Sequence, residues 1–361
     1  MIKNRKAFIV GLKSYKLSNK EKLFLKQHKP WGVILFSRNI KSIKQTKALT
    51  DNIKIIFKDS KYPILIDQEG GRVNRLGKII SFDNLTSEYF GDLFKSDIKK
   101  IFKDKKYPIL IDQEGGRVNR LNKIISFDNL TSEYFGNLYE KDKKKINVIY
   151  KLFVDKTSYL LKLIGTNINT VPVLDLRVKG SSNIIGDRSF SKNKNTVSKM
   201  GDLCIKFFHQ NSIGTVIKHI PGHGLAKVDS HNFTPIVKKS LKYLEKNDFY
   251  PFKNKQSYLA MTGHVIYEKL DKLNTVTHSK KAIQYIRNKI GFRNILISDD
   301  LSMKSLKEDM KLNTLKAFKA GCNIALHCNG NLNEMTIVAN NSPLINSFII
   351  KKTSQFYKIL S

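Results

Sequence analysis

The sequence predicts an α/β fold, a single-domain TIM-type (β/α)8 barrel carrying an extra βα segment from an internal duplication, and three observations predict it. Near-continuous apolar runs of strand length alternate with segments of helical spacing, which is the rhythm of βα units rather than of a meander. Most of those runs end in a polar or charged residue, as strands do when their carboxyl ends build a site. Finally, 361 residues suit one barrel with its helices.

Taken in order, Ala7 to Leu12 is the first strand and Asn19 to Gln27 a polar–apolar helix. Trp31-Gly32-Val33-Ile34-Leu35-Phe36 is a buried strand ending at Ser37-Arg38-Asn39, and Ser42 to Phe57 shows helical spacing. Lys143 to Leu163 reads as a long helix leading into Thr170-Val171-Pro172-Val173-Leu174-Asp175-Leu176, and Asn195 to Gln210 as the next helix. Further strands are predicted at Thr215 to His219, Tyr258 to Val265, Ile295 to Asp300 and Cys322 to Cys328.

Between the second strand and the long helix the chain repeats itself. Ile56 to Leu93 recurs 45 residues later as Ile101 to Leu138, with three differences over 38 positions: Ser60/Lys105, Gly77/Asn122 and Asp92/Asn137. Solenoids need about three repeats or more, and the rest of the chain does not repeat, so a recent tandem duplication (about 53–97 and 98–142) or a sequence error is the natural cause. Each copy holds a strand ending in an aspartate, Asp67 or Asp112, then a glycine pair and an arginine, Arg75 or Arg120. A closed eight-stranded barrel has room for one such strand. We expect the second copy in the barrel, because it flows into the long helix and leaves the surplus on the face away from the site; the opposite choice puts some 45 residues over the pocket.

The stretch that concentrates chemistry is Lys218-His219-Ile220-Pro221-Gly222-His223-Gly224, followed by Asp229-Ser230-His231. A β-branched run delivers a cation and an imidazole, then breaks at proline and two glycines. Taken singly, each histidine reads as readily as a solvated loop residue or a metal ligand as it does as a catalytic or sugar-binding group. Together they exceed what packing needs. Asp299-Asp300 closes another buried run; a helix N-terminal acidic pair is the plain reading, and a strand-end carboxylate held ionised by backbone donors is the functional one.

The string resembles the K-H-[FI]-P-G-H-G…D-[ST]-H signature of family 3 glycoside hydrolases, specifically bacterial β-N-acetylhexosaminidases that recycle cell-wall sugars. The resemblance extends to D-Q-E-G-G-R-V-x-R in each repeat copy, to P-V-L-D at Pro172 to Asp175, to G-[DE]-R-S-F at Gly186 to Phe190, and to S-D-D-L-S-M at Ser298 to Met303. It implies an exo-acting, retaining β-N-acetylglucosaminidase acting on muropeptides, with Asp299 as nucleophile and His231, paired with Asp229, as proton donor and acceptor. It further implies that Lys218, His219, Arg188 and the aspartate and arginine of one copy (Asp67 and Arg75, or Asp112 and Arg120) hold the sugar. Arg188 with Asp187 reads alternatively as an exposed ion pair. A related family 3 β-glycosidase or phosphorylase, or a homologue disabled by the duplication, stands as the alternative.

A formal charge of +35 raises the possibility of nucleic-acid binding. The excess is 55 Lys against 10 Arg, spread through every predicted helix instead of gathered on one face, and five of the arginines fall inside the motifs above. No nucleic-acid partner is therefore expected. Cys204, Cys322 and Cys328 have no zinc-ligand spacing and form no even framework, so neither metal, cofactor nor disulfide is expected. The first apolar run is too short for a signal core, and none approaches about 20 residues. A monomeric cytoplasmic protein with no membrane association is the expectation.

Overall fold

The computed structural model describes residues 3–68, 75–76, 130–178, 180, 184–230 and 233–360. Eight parallel strands close into a barrel: β1 Lys6–Gly11, β2 Pro30–Leu35, β3 Ile64–Ile66, β4 Ile168–Asn169, β5 Gly214–Ile220, β7 Leu259–Thr262, β9 Ile295–Asp300 and β10 Ile324–His327. β1 pairs with both β2 and β10, so no edge is left open. The short strands β6 (Ile236–Val237) and β8 (Ile266–Tyr267) pair outside the barrel.

Alternation along each strand divides the core in two. Ala7, Ile9, Leu65, Val216, Leu259, Ile295 and Ile324 point to one cluster filling the barrel, while Phe8, Val10, Val33, Ile64, Ile66 and Ile217 meet the helices outside. Those helices are α1 Asn19–His28, α2 Ile43–Phe57, α3 Ser132–Lys141, α4 Lys143–Leu163, α5 Lys194–Gln210, α6 Leu241–Lys246, α7 Lys280–Tyr285, α8 Met310–Ala320, α9 Leu332–Asn341 and α10 Ser347–Tyr357. Their starts follow the sequence chemistry: Ser18 and Glu21 form a capping box on α1, Ser42 caps α2, Asp142 caps α4 and Asp309 caps α8. The carboxyl-terminal helix α10 closes the amino-terminal end of the barrel. Its Ile349 and Phe356 join the inner cluster, and Trp31 donates from its indole to Thr353 Oγ1 at 2.9 Å. Gly214 is required there, because a Cβ would stand 2.2 Å from the Phe356 ring.

The fourth strand, Ile168–Asn169, lies just before the run expected to form it, Thr170 to Leu176. Regular pairing covers Ile168–Asn169, and beyond it the predicted run continues beside β5 with an irregular register: Val216 N bonds to Val171 O and Leu174 N to Lys218 O. Pro172 has no N–H for the ladder, which explains the break.

The expectation about the duplicated copies is corrected. The barrel takes its third strand from the first copy, with Val33, Ile34 and Leu35 of β2 paired to Ile64, Leu65 and Ile66, and takes the following helix, Ser132–Lys141, from the second. One functional unit is thus assembled from the start of one copy and the end of the other, and Asp112 and Arg120 lie outside the described residues. The cause is continuity of the chain. With near-identical copies, each flanking element takes the partner nearest in sequence, α2 leading straight into β3 and α3 straight into α4. Residues 77–129, between β3 and α3, lie outside the described residues. The extra βα segment expected of the duplication also lies outside the described residues.

Candidate active site

A cavity opens at the carboxyl end of the barrel, lined by polar groups from β3, β5 and β9 and their loops and by an apolar wall that includes Phe36, Met261 and Met303. Asp67, Arg75, Arg188, Lys218, His219 and Asp299 all line it, so six residues singled out in the sequence converge on one space.

Lys218, buried on β5, reaches across to Asp67 at the end of β3: Nζ stands 2.6 Å from Oδ1, which also accepts from Thr170 Oγ1 at 2.8 Å. Arg75 lies 3.9 Å from the other carboxylate oxygen, and its guanidinium sits over the Phe36 ring at 5.5 Å. Two cations therefore share one carboxylate and border the cavity. This spacing suits hydroxyl recognition, since a sugar offers donors and acceptors together.

His219 is fixed from behind. Its Nδ1 lies 2.6 Å from Asp175 Oδ2, and its backbone N–H reaches the same fully buried carboxylate at 3.3 Å. A carboxylate can only accept, so Nδ1 carries a proton and donates it to Asp175, which fixes the orientation of the ring. Asp175 was not among the site residues read from the sequence. The signal was present as the acidic end of a buried apolar run, but its partner lies 44 residues away. The peptide bonds Lys218–His219, Ile220–Pro221 and Val171–Pro172 are cis.

Asp299 and Asp300 both line the cavity but differ in how their carboxylates are bonded. Asp300 is consumed by structure: its Oδ1 accepts from Ser302 N and Cys328 N at 3.1 Å each, and its Oδ2 from Ser302 Oγ at 2.8 Å. Asp299 lines the cavity and accepts from the Asp300 N–H at 2.8 Å. Burial alone would raise its pKa; the facing imidazoles of His264, His219 and His223, with that N–H, outweigh burial and hold it below the usual carboxylate value. An ionised carboxylate at a strand end, facing a cavity, is a competent nucleophile.

His264 is fully buried and does not line the cavity. Its Nε2 faces the Asp300 carbonyl at 3.0 Å, so the proton is there, and Nδ1 meets Thr277 Oγ1 at 2.8 Å. It braces the backbone of the Asp299-Asp300 pair. His223, buried in the glycine turn, bonds through Nε2 to Ser230 Oγ at 3.1 Å, and burial, aided by repulsion from His219, lowers its pKa to about 4. The Asp229-Ser230 end of the adjoining loop is thereby drawn to the cavity, which Ser230 lines. His231 lies outside the described residues. Arg188 stands in a short 3-10 turn, Gly186–Arg188, on the cavity wall.

Comparison with known proteins bears on the family and the fold. The family model described as "Glycosyl hydrolase family 3 N terminal domain" matches residues 76–351. That match starts just after the β3 motif of the first copy and takes in the second, whereas the barrel uses the first; near identity makes both alignable. A curated β-hexosaminidase of Neisseria meningitidis is 29% identical over 331 residues, covering 89% of this chain and 77% of the relative. One from Aromatoleum aromaticum is 27% identical over 305 residues, covering 82% and 72%. Among solved structures, NagZ from Neisseria gonorrhoeae in complex with N-trifluoroacetyl-D-glucosamine superposes with a TM-score of 0.77 at 25% identity, covering 98% of this chain and 90% of that one.

Proposed function

Since the chain belongs to glycosyl hydrolase family 3, we propose that it is a retaining exo-β-N-acetylglucosaminidase that removes terminal N-acetylglucosamine from muropeptide fragments of peptidoglycan. The observation that carries the reading is the convergence of Asp299, the Lys218–Asp67 pair and the Asp175-oriented His219 on one cavity, a nucleophile beside a ring of hydroxyl-binding groups. The relatives named β-hexosaminidase, and the NagZ complex with a glucosamine derivative, supply the sugar class.

In the proposed cycle the Asp299 carboxylate attacks the anomeric carbon. The bond from that carbon to the leaving oxygen breaks, and this oxygen takes a proton from His231. Water then gives a proton to His231 while its oxygen attacks the same carbon and frees Asp299. An imidazole suits both half-reactions near neutrality, its unperturbed pKa being about 6.5. Asp229 orients that imidazole. A cationic ring beside the nucleophilic carboxylate is attractive, whereas two carboxylates would repel. Asp67, Arg75, Lys218, His219 and Arg188 hold the sugar hydroxyls. Asp112 and Arg120 take no part in this reading, because Asp67 and Arg75 occupy the barrel position. A monomeric cytoplasmic enzyme needing no metal or cofactor, with no nucleic-acid partner, completes the proposal; among the described residues no helix is long and apolar enough to cross a membrane.

Covalent trapping tests it. A fluorinated N-acetylglucosaminide that forms the glycosyl-enzyme but is slow to hydrolyse should add one sugar mass to the peptide carrying Asp299. A label on Asp300, or inhibition of an active enzyme with no covalent adduct, would overturn the assignment.

A further inference from the structure

Behind the glycine turn lies a carboxyl group that the catalytic cycle does not use. Asp248, in the loop after α6, is fully buried, and its Oδ2 is 2.7 Å from the hydroxyl of Tyr267 on β8. The same hydroxyl is 2.8 Å from the carbonyl oxygen of Gly222. Three oxygens therefore make two short contacts, and each contact needs a proton. The Tyr267 hydroxyl supplies one. A carbonyl can supply none, so the second belongs to Asp248, present as a carboxylic acid.

The turn is built around this group. A Cβ on Gly222 would stand 2.6 Å from Asp248 Oδ2, and one on Gly224 would stand 3.0 Å from Oδ1 and 2.3 Å from the Leu176 carbonyl. Gly222 thus answers to close approach of a buried acid, and Gly224 first to the Leu176 backbone and then to the same acid. What the turn holds in place is His223, which bonds to Ser230 on the loop that continues to His231.

We infer that Asp248 is a positioning residue: as a neutral acid it donates to Tyr267, Tyr267 donates to the Gly222 carbonyl, and this relay fixes the turn that carries His223 and Ser230 against the sugar site. The relay rests on the proposed function only for its effect on turnover; the protonation of Asp248 is independent of it. Burial raises the Asp248 pKa to about 7, the Tyr267 bond opposing, the Asp175 charge reinforcing and the Gly224 N–H opposing. Oδ1 receives no hydrogen bond of normal geometry. The titratable groups facing the carboxyl are Tyr267 itself, whose own ionisation is pushed well up by burial, and Asp175, which is paired with His219. When Asp248 ionises, one contact of the relay loses its proton and a buried carboxylate is left beside Asp175.

The sign follows from linkage. A folded pKa of about 7 against about 3.9 in the unfolded chain means the contribution is fully present below pH 3.9 and is lost as pH rises through 7. Turnover that depends on the neutral acid should fall about tenfold from this group alone between pH 6 and pH 8. Asp248→Asn keeps a donor to Tyr267 and removes the titration. It should match the wild type within about threefold at pH 6 and show a shallower alkaline limb in kcat/KM, whereas Asp248→Leu, which breaks the relay, should be impaired at every pH. In parallel, infrared spectroscopy of the wild type should show a carboxylic-acid carbonyl band that titrates near neutrality and is absent from Asp248→Asn. Identical pH profiles for wild type and Asp248→Asn, or a wild type with no such band, would overturn the inference. A band that titrates in a protein without glycosidase activity would instead support the protonated acid and reject the proposed function.

Discussion

Two buried ion pairs at opposite ends of the barrel share nearly the same geometry and do different work. At the amino-terminal end Arg5 meets Asp59 at 2.5 Å, with side chains 4% and 16% exposed; at the carboxyl-terminal end Lys218 meets Asp67 at 2.6 Å, with side chains 3% and 16% exposed. Around the first pair the protein completes the site. Asp59 also accepts from Tyr357 at 3.0 Å and from Lys61 N at 2.9 Å, and the Arg5 guanidinium lies over the Tyr62 ring at 4.6 Å. The second pair faces a cavity, with Arg75 held at 3.9 Å from the free carboxylate oxygen. Burial and charge alone therefore do not mark a functional pair. What sets the second pair apart is its place on the wall of a cavity, beside Arg75 and Asp299.

The comparison predicts that damage at one end separates from damage at the other. Asp299→Asn removes the nucleophile and leaves the fold's contacts in place, so kcat on an aryl N-acetylglucosaminide should drop at least about 10³-fold with an unchanged melting temperature. A melting temperature that fell as steeply as the activity would show Asp299 to be a structural group like Asp59. Arg5→Ala should do the reverse. Removing one partner of a buried pair costs about 3 kcal/mol of stability, read as a lower denaturation midpoint in urea, while kcat and KM of the remaining folded protein stay at wild-type values. A changed KM would mean that the two ends are coupled through the strands.

The same contrast shows what the sequence could reveal. Apolar runs of strand length located most barrel strands because both faces of a parallel sheet are covered, and the polar strand ends pointed to Lys218, His219 and Asp299, whereas of the duplicated aspartates the sequence favoured Asp112 and the cavity is lined by Asp67. Two things were illegible for physical reasons. The copies of the repeat are so alike that no local preference distinguishes them; the choice was made by the shortest connection on each side, and it joined Ile64–Ile66 to Ser132–Lys141. Asp175 reads as the acidic end of an apolar run and Asp248 as one more polar residue after Glu245-Lys246-Asn247, and their partners, His219 at a separation of 44 and Tyr267 at 19, appear only once the barrel has closed. Glycines 222 and 224 read as turn formers, when the nearest obstacle to a side chain is the Asp248 carboxyl at Gly222 and the Leu176 backbone at Gly224.

Two histidines, one buried and one half-buried, sharpen the comparison by the smallest margin. His223 at the site and His209, which meets Thr215 Oγ1 at 3.0 Å near the start of β5, are both lowered to about 4 by burial. In the unfolded chain each titrates near 6.5, so between those values the unfolded state binds more protons and stability falls as pH drops from about 6.5 toward 4. His209→Gln removes one such group far from the cavity. Its melting temperature should therefore decline less than the wild type's between pH 7 and pH 5, with the acid limb of kcat/KM unmoved. An acid limb that shifted in His209→Gln would place that imidazole in communication with the sugar site and erase the division between the two ends of the barrel.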